Sequence, residues 1–114
     1  MIVKKLTDNP FGDMPGHDNI KKQIVIGPDE GSNEIVLRYF KVEPGASSPD
    51  HQHDFPHLVK VEAGEGAVID PDGKEHPIKA GDYVYVHDNE AHCFKNIGPT
   101  SLEFICVVPA RGEG

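Results

Sequence analysis

Residues 45–66 read GASSPDHQHDFPHLVKVEAGEG, and the histidines in this stretch stand at positions of one parity: His51, His53 and His57. Side chains at even intervals share one face of an extended backbone. Val59 and Val61 continue the same parity, and their apolar character marks that face as the interior. Pro56 cannot donate to a strand ladder, so we expect a bend between the second and third histidines. The stretch predicts a β-structure with imidazoles on its inner face.

A second stretch, residues 81–96, reads GDYVYVHDNEAHCFKN and supplies a further imidazole. His92 has Phe94 and Asn96 at its own parity, which makes it the natural fourth partner from another strand. Cys93 has the opposite parity and is expected to face away. A lone inward histidine is usually a hydrogen-bonded core residue, but four that converge are the ligand type and number of a metal site.

Short runs of β-branched and aromatic residues, separated by turn residues, fill most of the chain. No apolar pattern keeps a helical period over ten residues. The predicted strands cover 20–26, 34–42, 58–62, 67–69, 76–78, 83–86, 92–96 and 102–108. Their spacing predicts an all-β antiparallel barrel or sandwich. We expect residues 1–19 to be irregular, with a bend at Pro15-Gly16, and residues 111–114 to form a frayed tail.

Length and charge limit the classes of function. The 114 residues make one domain, and the formal net charge of −8 disfavours nucleic acid and anionic membranes as partners. No apolar run approaches the length that spans a bilayer, and the N-terminus shows no targeting signal. Two cysteines cannot make a disulfide framework, so we expect thiols in a reducing cytoplasm.

The spacing of these residues resembles the two motifs of the cupin superfamily. Residues 45–66 run Gly, five residues, His-x-His, three residues, His, six residues, Gly. Residues 81–96 run Gly, five residues, His-x-Asn, two residues, His, three residues, Asn. The family motifs keep these intervals, with Glu in place of the third histidine and Pro-x-Gly in place of His-x-Asn. The flanking strands extend the resemblance over roughly residues 20–109.

Two departures from the family pattern are informative. His57 stands where most cupins place a metal-ligating Glu, so the resemblance implies a ligand set of four histidines. His87 and Asn89 stand at a turn where the second motif has Pro and Gly. Asn tolerates the left-handed backbone nearly as well as Gly does, so the turn can form. His87 is interpreted as a turn residue, not a ligand.

The chain resembles the small, single-domain, four-histidine manganese cupins, whose fold is a double-stranded β-helix or jelly-roll barrel. The resemblance implies one cupin domain over residues 1–114, with its barrel core in 20–109, and a homodimer. It implies one divalent ion on four histidines: His51, His53, His57 and His92. Manganese is the metal of the resemblance, whereas imidazole ligands by themselves leave iron, nickel and zinc open. Neutral imidazoles leave the ion its full charge, which strengthens its pull on bound water or substrate.

The last predicted strand offers two cavity-lining candidates. Phe104 and Cys106 have the parity opposite to Glu103, so we expect both to point inward. Cys106 is then either an oxidisable thiol near the metal or a buried structural thiol.

Arg38 is a third candidate, and its orientation is open. It shares the parity of Val36 and Phe40, and with that face inside it would line the cavity and bind a substrate carboxylate. The opposite assignment, with Leu37 and Tyr39 inside, is equally compatible with the pattern.

Three functions are compatible with a metal-binding cupin, because one fold hosts many chemistries. The first is a metal-dependent oxidoreductase of the dioxygenase type that acts on a small organic molecule. The second is a non-catalytic module that binds a small acid or sugar. The third is an isomerase or cyclase in which the ion acts as a Lewis acid.

Overall fold

The computed structural model describes residues 1–14, 17–48 and 50–113 of the chain. Strands and turns dominate these ranges, and their helices are single 3-10 turns at Leu6–Asp8, Pro28–Glu30 and Ala110–Gly112. None of these helices approaches the length that would cross a membrane. The strands of the described ranges are β1 Gly12–Met14, β2 His17–Ile26, β3 Ile35–Val42, β4 His57–Ala63, β5 Glu65–Ile69, β6 Glu75–Lys79, β7 Tyr83–Val86, β8 Cys93–Lys95 and β9 Leu102–Pro109.

The strands form two antiparallel sheets. The larger sheet has the order β1-β2-β3-β9-β4-β7, and the smaller sheet has the order β6-β5-β8. The all-β antiparallel prediction is confirmed. The predicted strand 83–86 matches β7, and the other predicted strands overlap observed strands with small differences at their ends.

The core lies where the inner faces of the two sheets meet. Val59 and Phe104 from the larger sheet belong to the same buried cluster as Val68, Ile78 and Phe94 from the smaller sheet. β9 alternates strictly between buried and half-buried residues, as a strand with one apolar face should. The predicted inner face of β4 is also confirmed, since His57 and its two valines of equal parity are buried.

The expectation of an irregular segment over residues 1–19 holds for residues 1–11 apart from the 3-10 turn Leu6–Asp8, and it is wrong for the described residues from Gly12 onward. β1 forms a hairpin with β2, which begins at His17 rather than at residue 20. Asp13 pairs with Lys21 in this ladder, and the Lys21 ammonium also bonds the Asp13 carboxylate. Pairing with a neighbouring strand therefore outweighs the turn residues that punctuate this stretch. The bend expected at Pro15-Gly16 lies outside the described residues.

The expectation of a frayed tail after β9 is also wrong for the described residues. The Ala110 N–H donates to the Glu34 carbonyl at 2.9 Å, and the 3-10 turn Ala110–Gly112 follows. The Arg111 Nη2 donates to the Asp54 carbonyl at 3.0 Å. These contacts join residues that are far apart in sequence, so no local sequence pattern predicts them.

The turn before β8 forms as predicted. Asn89 has φ 63°, the left-handed conformation that the asparagine was expected to tolerate. Its N–H donates to the carbonyl of His53 at 2.5 Å. The turn is thus tied to the connection between β3 and β4, which carries two of the candidate metal ligands.

Candidate metal centre

The four predicted ligands come from two places in the fold. His51 and His53 lie in the connection that leads from β3 to β4, and His57 is the first residue of β4 in the larger sheet. His92 immediately precedes β8 in the smaller sheet. The candidate centre therefore lies where one end of each sheet approaches the other, and it requires both sheets to be in place.

Three of these histidines form a compact group. One nitrogen from each of His53, His57 and His92 lies within 4.8 Å of the others. The ring centroids of His57 and His92 are 4.8 Å apart, and those of His53 and His57 are 5.2 Å apart. His51 lies outside this group of three, with its ring centroid 5.1 Å from that of His53. The structure thus brings three predicted ligands together and places the fourth beside them.

The nitrogen atoms of the group are available for a metal ion. The Nδ1 of His92 lies 2.9 Å from the Glu90 carbonyl oxygen. A carbonyl only accepts, so Nδ1 carries the proton and Nε2 keeps a free lone pair. The Nδ1 atoms of His53 and His57 are buried and have no hydrogen-bond partner among the described residues. Buried nitrogens without partners are costly, so the residues present fit a divalent ion.

Burial disfavours protonation of His51, His53 and His57. It is the main cause that lowers the pKa of His57 to about 3, and electrostatic interactions with His92 and with the Arg38 guanidinium add to it. Burial is likewise the main cause that lowers the pKa of His51 and of His53. The Arg38 guanidinium contributes to lowering the pKa of both His53 and His57. Neutral imidazole is the form that binds metal, so the site is prepared for an ion at neutral pH.

A cavity of about 160 Å³ opens beside the histidines. Its wall includes an aromatic stack, in which the ring centroid of Phe104 lies 4.6 Å from that of Phe94 and 5.3 Å from that of Phe40. Phe55 covers the histidine side, with its ring stacked 4.9 Å from the ring of His53. Pockets that take drug-sized molecules are about 300–1,000 Å³, so this one suits a much smaller molecule.

Phe104 and Cys106 point inward as predicted, and both line the cavity. The Cys106 thiol is buried, which raises its pKa despite the opposing charge of Arg38. A buried thiol with a raised pKa is mostly protonated and correspondingly unreactive. The structural interpretation of Cys106 is therefore the better supported of the two that were open.

The orientation of Arg38 is now settled. Val36 and Phe40 are buried, so their parity is the inner one, and Arg38 lines the cavity with them. Its Nη2 lies 3.0 Å from the Cys106 Sγ, and its Nη1 lies 3.3 Å from the Glu113 Oε1. Arg38 and Cys106 are direct partners in the β3–β9 ladder, which explains their contact.

The tail after β9 reaches the same cavity, and sequence reasoning missed it. Glu113 bonds both Arg38 and Lys22, and Gly112 lines the cavity. A Cβ atom on Gly112 would lie 2.6 Å from the Cε2 of Phe55, so the backbone passes directly over that ring. No periodicity or motif marks these residues, because their partners are 57 to 91 positions away in the chain.

A larger groove of about 570 Å³ also includes His92 in its lining. It touches one of the four candidate ligands, and the rest of its lining mixes exposed residues such as Tyr83 and His87 with buried ones such as Val86. The His87 ring packs edge-on against Tyr85 at 4.6 Å, outside the group of three histidines. The smaller cavity, which gathers all four histidines, is the better candidate site despite its size.

Comparison with known sequences places the chain among proteins with related motifs. Residues 38–108 match the family described as the cupin domain. The oxalate-binding protein of Thermotoga maritima is 39% identical over 69 residues, which cover 60% of this chain and 56% of that protein. Auxin-binding protein 1 of Arabidopsis thaliana is 27% identical over 116 residues, covering 94% of this chain and 58% of that protein. The chain thus spans little more than half the length of these curated relatives.

Comparison with solved structures gives the same architecture over nearly the whole chain. The polyketide cyclase RemF from Streptomyces resistomycificus has a TM-score of 0.88 at 26% identity, covering 96% of this chain and 80% of that one. A predicted oxalate decarboxylase from Thermotoga maritima has a TM-score of 0.80 at 27% identity, covering 96% of this chain and 98% of that one.

Proposed function

This chain belongs to the cupin domain family, with the all-β cupin fold, and we propose that it holds one divalent ion and binds a small organic molecule beside it. The observation that carries the proposal is the convergence of His53, His57 and His92, whose ligand atoms lie within 4.8 Å. The buried, unpartnered Nδ1 atoms of two of them support it. We propose His51 as the fourth ligand, since it lines the same cavity.

Manganese is the metal that we propose, with iron, nickel and zinc as alternatives. A bound ion would polarise a carboxylate or carbonyl of the organic molecule and leave positions for a second reactant. The side chains have separate tasks: the histidines hold the ion, the Glu90 carbonyl orients His92, and the phenylalanines keep the cavity apolar. Apart from the histidines, no general base is evident among the described residues that line the cavity.

We propose an oxidoreductase of the dioxygenase type as the catalytic form of this function. Support comes from the number of ligands, since an ion held by four histidines would keep room for further ligands, and substrate and an oxidant could then bind to it together. The small cavity suits a small substrate.

A non-catalytic binding function is the second candidate. The relative that is 39% identical over 69 residues is named for binding oxalate. The similarity to the polyketide cyclase is a similarity of fold at 26% sequence identity. A cavity of about 160 Å³ also gives little room for a polyketide. We therefore place the isomerase or cyclase function third.

Elemental analysis of the purified protein tests the metal centre. We expect about one manganese or iron per chain, retained in His76→Ala, an exposed histidine paired with Asp70, and lost in His57→Ala and His92→Ala. Circular dichroism would verify that each variant is folded. No stoichiometric metal after reloading with manganese would refute the proposal.

Oxygen uptake separates the two leading functions. The metal-loaded protein would be given a panel of small organic molecules, with and without oxygen. Oxygen-dependent turnover, lost on metal removal, supports the oxidoreductase. Tight binding without turnover supports the binding module, and anaerobic turnover supports the third candidate.

We also propose a homodimer that forms through the outer face of the larger sheet. Leu37, Val107, Leu58 and Tyr85 are successive partners across β3, β9, β4 and β7 and make one outward apolar row. Leu58 is 54% exposed and Tyr85 is 52% exposed, which is unusual for adjacent large apolar side chains in a sheet.

A further inference from the structure

We infer that Arg38 anchors a carboxylate of the ligand, and that Glu113 is the internal carboxylate which this ligand displaces. The inference rests on the proposed function and deepens it, because it names the ligand as a small organic acid. One oxygen-bearing group of the acid would face the histidines, while a carboxylate of the same acid would form an ion pair with the Arg38 guanidinium.

The position of Arg38 calls for an anionic partner. It lies on the inner face of β3, between Val36 and Phe40, and its side chain is 11% exposed. A guanidinium removed from water is costly unless hydrogen-bonded acceptors and negative charge compensate it. An apolar residue at position 38 would pack on this inner face without the desolvation cost of a charge. Packing alone therefore does not explain why an arginine stands there.

The hydrogen bonding of the Arg38 guanidinium is incomplete. Its Nη1 contact with Glu113 is 3.3 Å, longer than the roughly 2.7–2.9 Å of a strong charge-assisted bond. Its Nη2 contact is with the Cys106 sulfur, which is a weak acceptor. Its Nε is buried without a partner among the described residues. The planar fork suits two parallel bonds to one carboxylate, and that arrangement is not filled here.

Glu113 can leave Arg38 at small cost. Its other oxygen is 2.5 Å from the Lys22 ammonium, so it keeps a cationic partner after exchange. The tail is held independently by the Arg111 bond to the Asp54 carbonyl. Only the end of the tail would have to move when a ligand enters.

The charge of the cavity points to the same ligand class. The chain carries 19 acidic residues against 11 basic ones, yet none of the described residues that line the cavity is acidic. Its lining carries the Arg38 charge and four histidines, to which an ion would add further positive charge. A small anion is the complement of such a cavity, and about 160 Å³ limits it to a few heavy atoms.

Calorimetric titration with oxalate tests the inference, with neutral oxamide as the matched probe. Each manganese-loaded protein would be analysed for metal before and after titration, so that removal of the ion by oxalate is detected. We expect oxalate to bind, oxamide to bind at least about tenfold more weakly, and Arg38→Gln to weaken oxalate about tenfold or more. Lys41→Gln removes an outward cation from the same strand and should change nothing.

Glu113→Gln gives the opposite expectation. Removal of the competing carboxylate should tighten oxalate binding about threefold or more, whereas Glu103→Gln, on the outer face beside Tyr39, should leave it unchanged. A merely structural Glu113 would lower the melting temperature without tightening binding. The Glu113→Gln titration tests the inference even if the Arg38→Gln variant fails to fold.

Three results would overturn the inference: unchanged oxalate affinity in Arg38→Gln, no tightening in Glu113→Gln, or no binding of oxalate by the metal-loaded protein. A protein without stoichiometric metal would instead refute the proposed function. In that case, titration of the metal-free protein with oxalate, and of its Arg38→Gln variant, still measures whether Arg38 binds an anion.

Discussion

His51 and His92 are joined by a pair of backbone hydrogen bonds, each N–H donating to the other residue's carbonyl at 2.8 Å. This isolated bridge connects the β3–β4 connection with the segment that enters β8. It fixes the spacing of two candidate ligands without using either imidazole. The side chain of His51 can therefore be removed while the bridge that positions His92 stays intact.

We expect His51→Ala to keep a metal centre of lower affinity. The compact group of His53, His57 and His92 would stay whole, whereas His57→Ala and His92→Ala break it. One ion per chain should therefore still bind at saturating manganese, with a dissociation constant raised about tenfold or more. Competition with a fluorescent chelator measures this change. An affinity equal to that of the unaltered protein would remove His51 from the ligand set.

We expect the metal-free protein to lose stability between pH 7 and pH 5. His57 titrates near 6.5 in the unfolded chain, while burial lowers its folded pKa to about 3. Below about pH 6.5 the unfolded state therefore binds a proton that the folded state excludes. The free energy of unfolding should fall by about 2 kcal/mol for this group over that window, with a slope that approaches about 1.4 kcal/mol per pH unit near pH 5. The lowered pKa values of His51 and His53 act in the same direction.

Urea unfolding at pH 7, 6 and 5 in the presence of a chelator checks this slope. His57→Gln should show a shallower dependence, since it removes the histidine whose pKa is lowered to about 3. A free energy that does not change over this window would contradict the expectation.

Gly64→Ala should be strongly destabilising. Gly64 has φ 81°, and a Cβ there would lie 2.3 Å from the Ser101 carbonyl oxygen. Backbone strain and overpacking together give a loss of roughly 3 kcal/mol. Gly73→Ala is the matched control, because Gly73 has φ 82° with nothing within 4 Å of its Cβ position. It should lose only about 1–2 kcal/mol in the same urea unfolding experiment. Equal losses would show that the close approach is relieved by movement.

Leu58→Glu should convert the proposed dimer into a monomer. It places a charge in the outward apolar row, opposite Tyr85, where a second copy would bury it. Ile97→Glu is the control, because Ile97 is 53% exposed but lies outside this row. Light scattering after size-exclusion chromatography measures the mass. A monomeric unaltered protein would refute the dimer itself.

The sequence predicted what depends on alternation along a strand. His57, Val59 and Val61 share the buried face of β4 because side chains in strands alternate. Arg38 shows the limit of this rule, since apolar residues alternate on both faces of β3 and the sequence alone does not say which face is inside. The pairing of β3 with β9 in the structure determines it.

Contacts between distant segments lay beyond such patterns. The parity of the four histidines was readable, but the position of His51 beside a group of three was not. Glu113 meets Arg38 across 75 positions of sequence, and nothing in either local stretch signals that pairing. These relationships depend on how the sheets and the tail pack in three dimensions.

The course of Gly112 over the Phe55 ring has a practical consequence for handling the protein. A purification tag or fluorescent fusion attached after residue 114 would pull on backbone that lies within van der Waals distance of a ring stacked on His53. Met1 and Val3 are by contrast among the most exposed side chains. Recombinant protein meant for metal and ligand measurements is therefore best produced with a removable N-terminal tag.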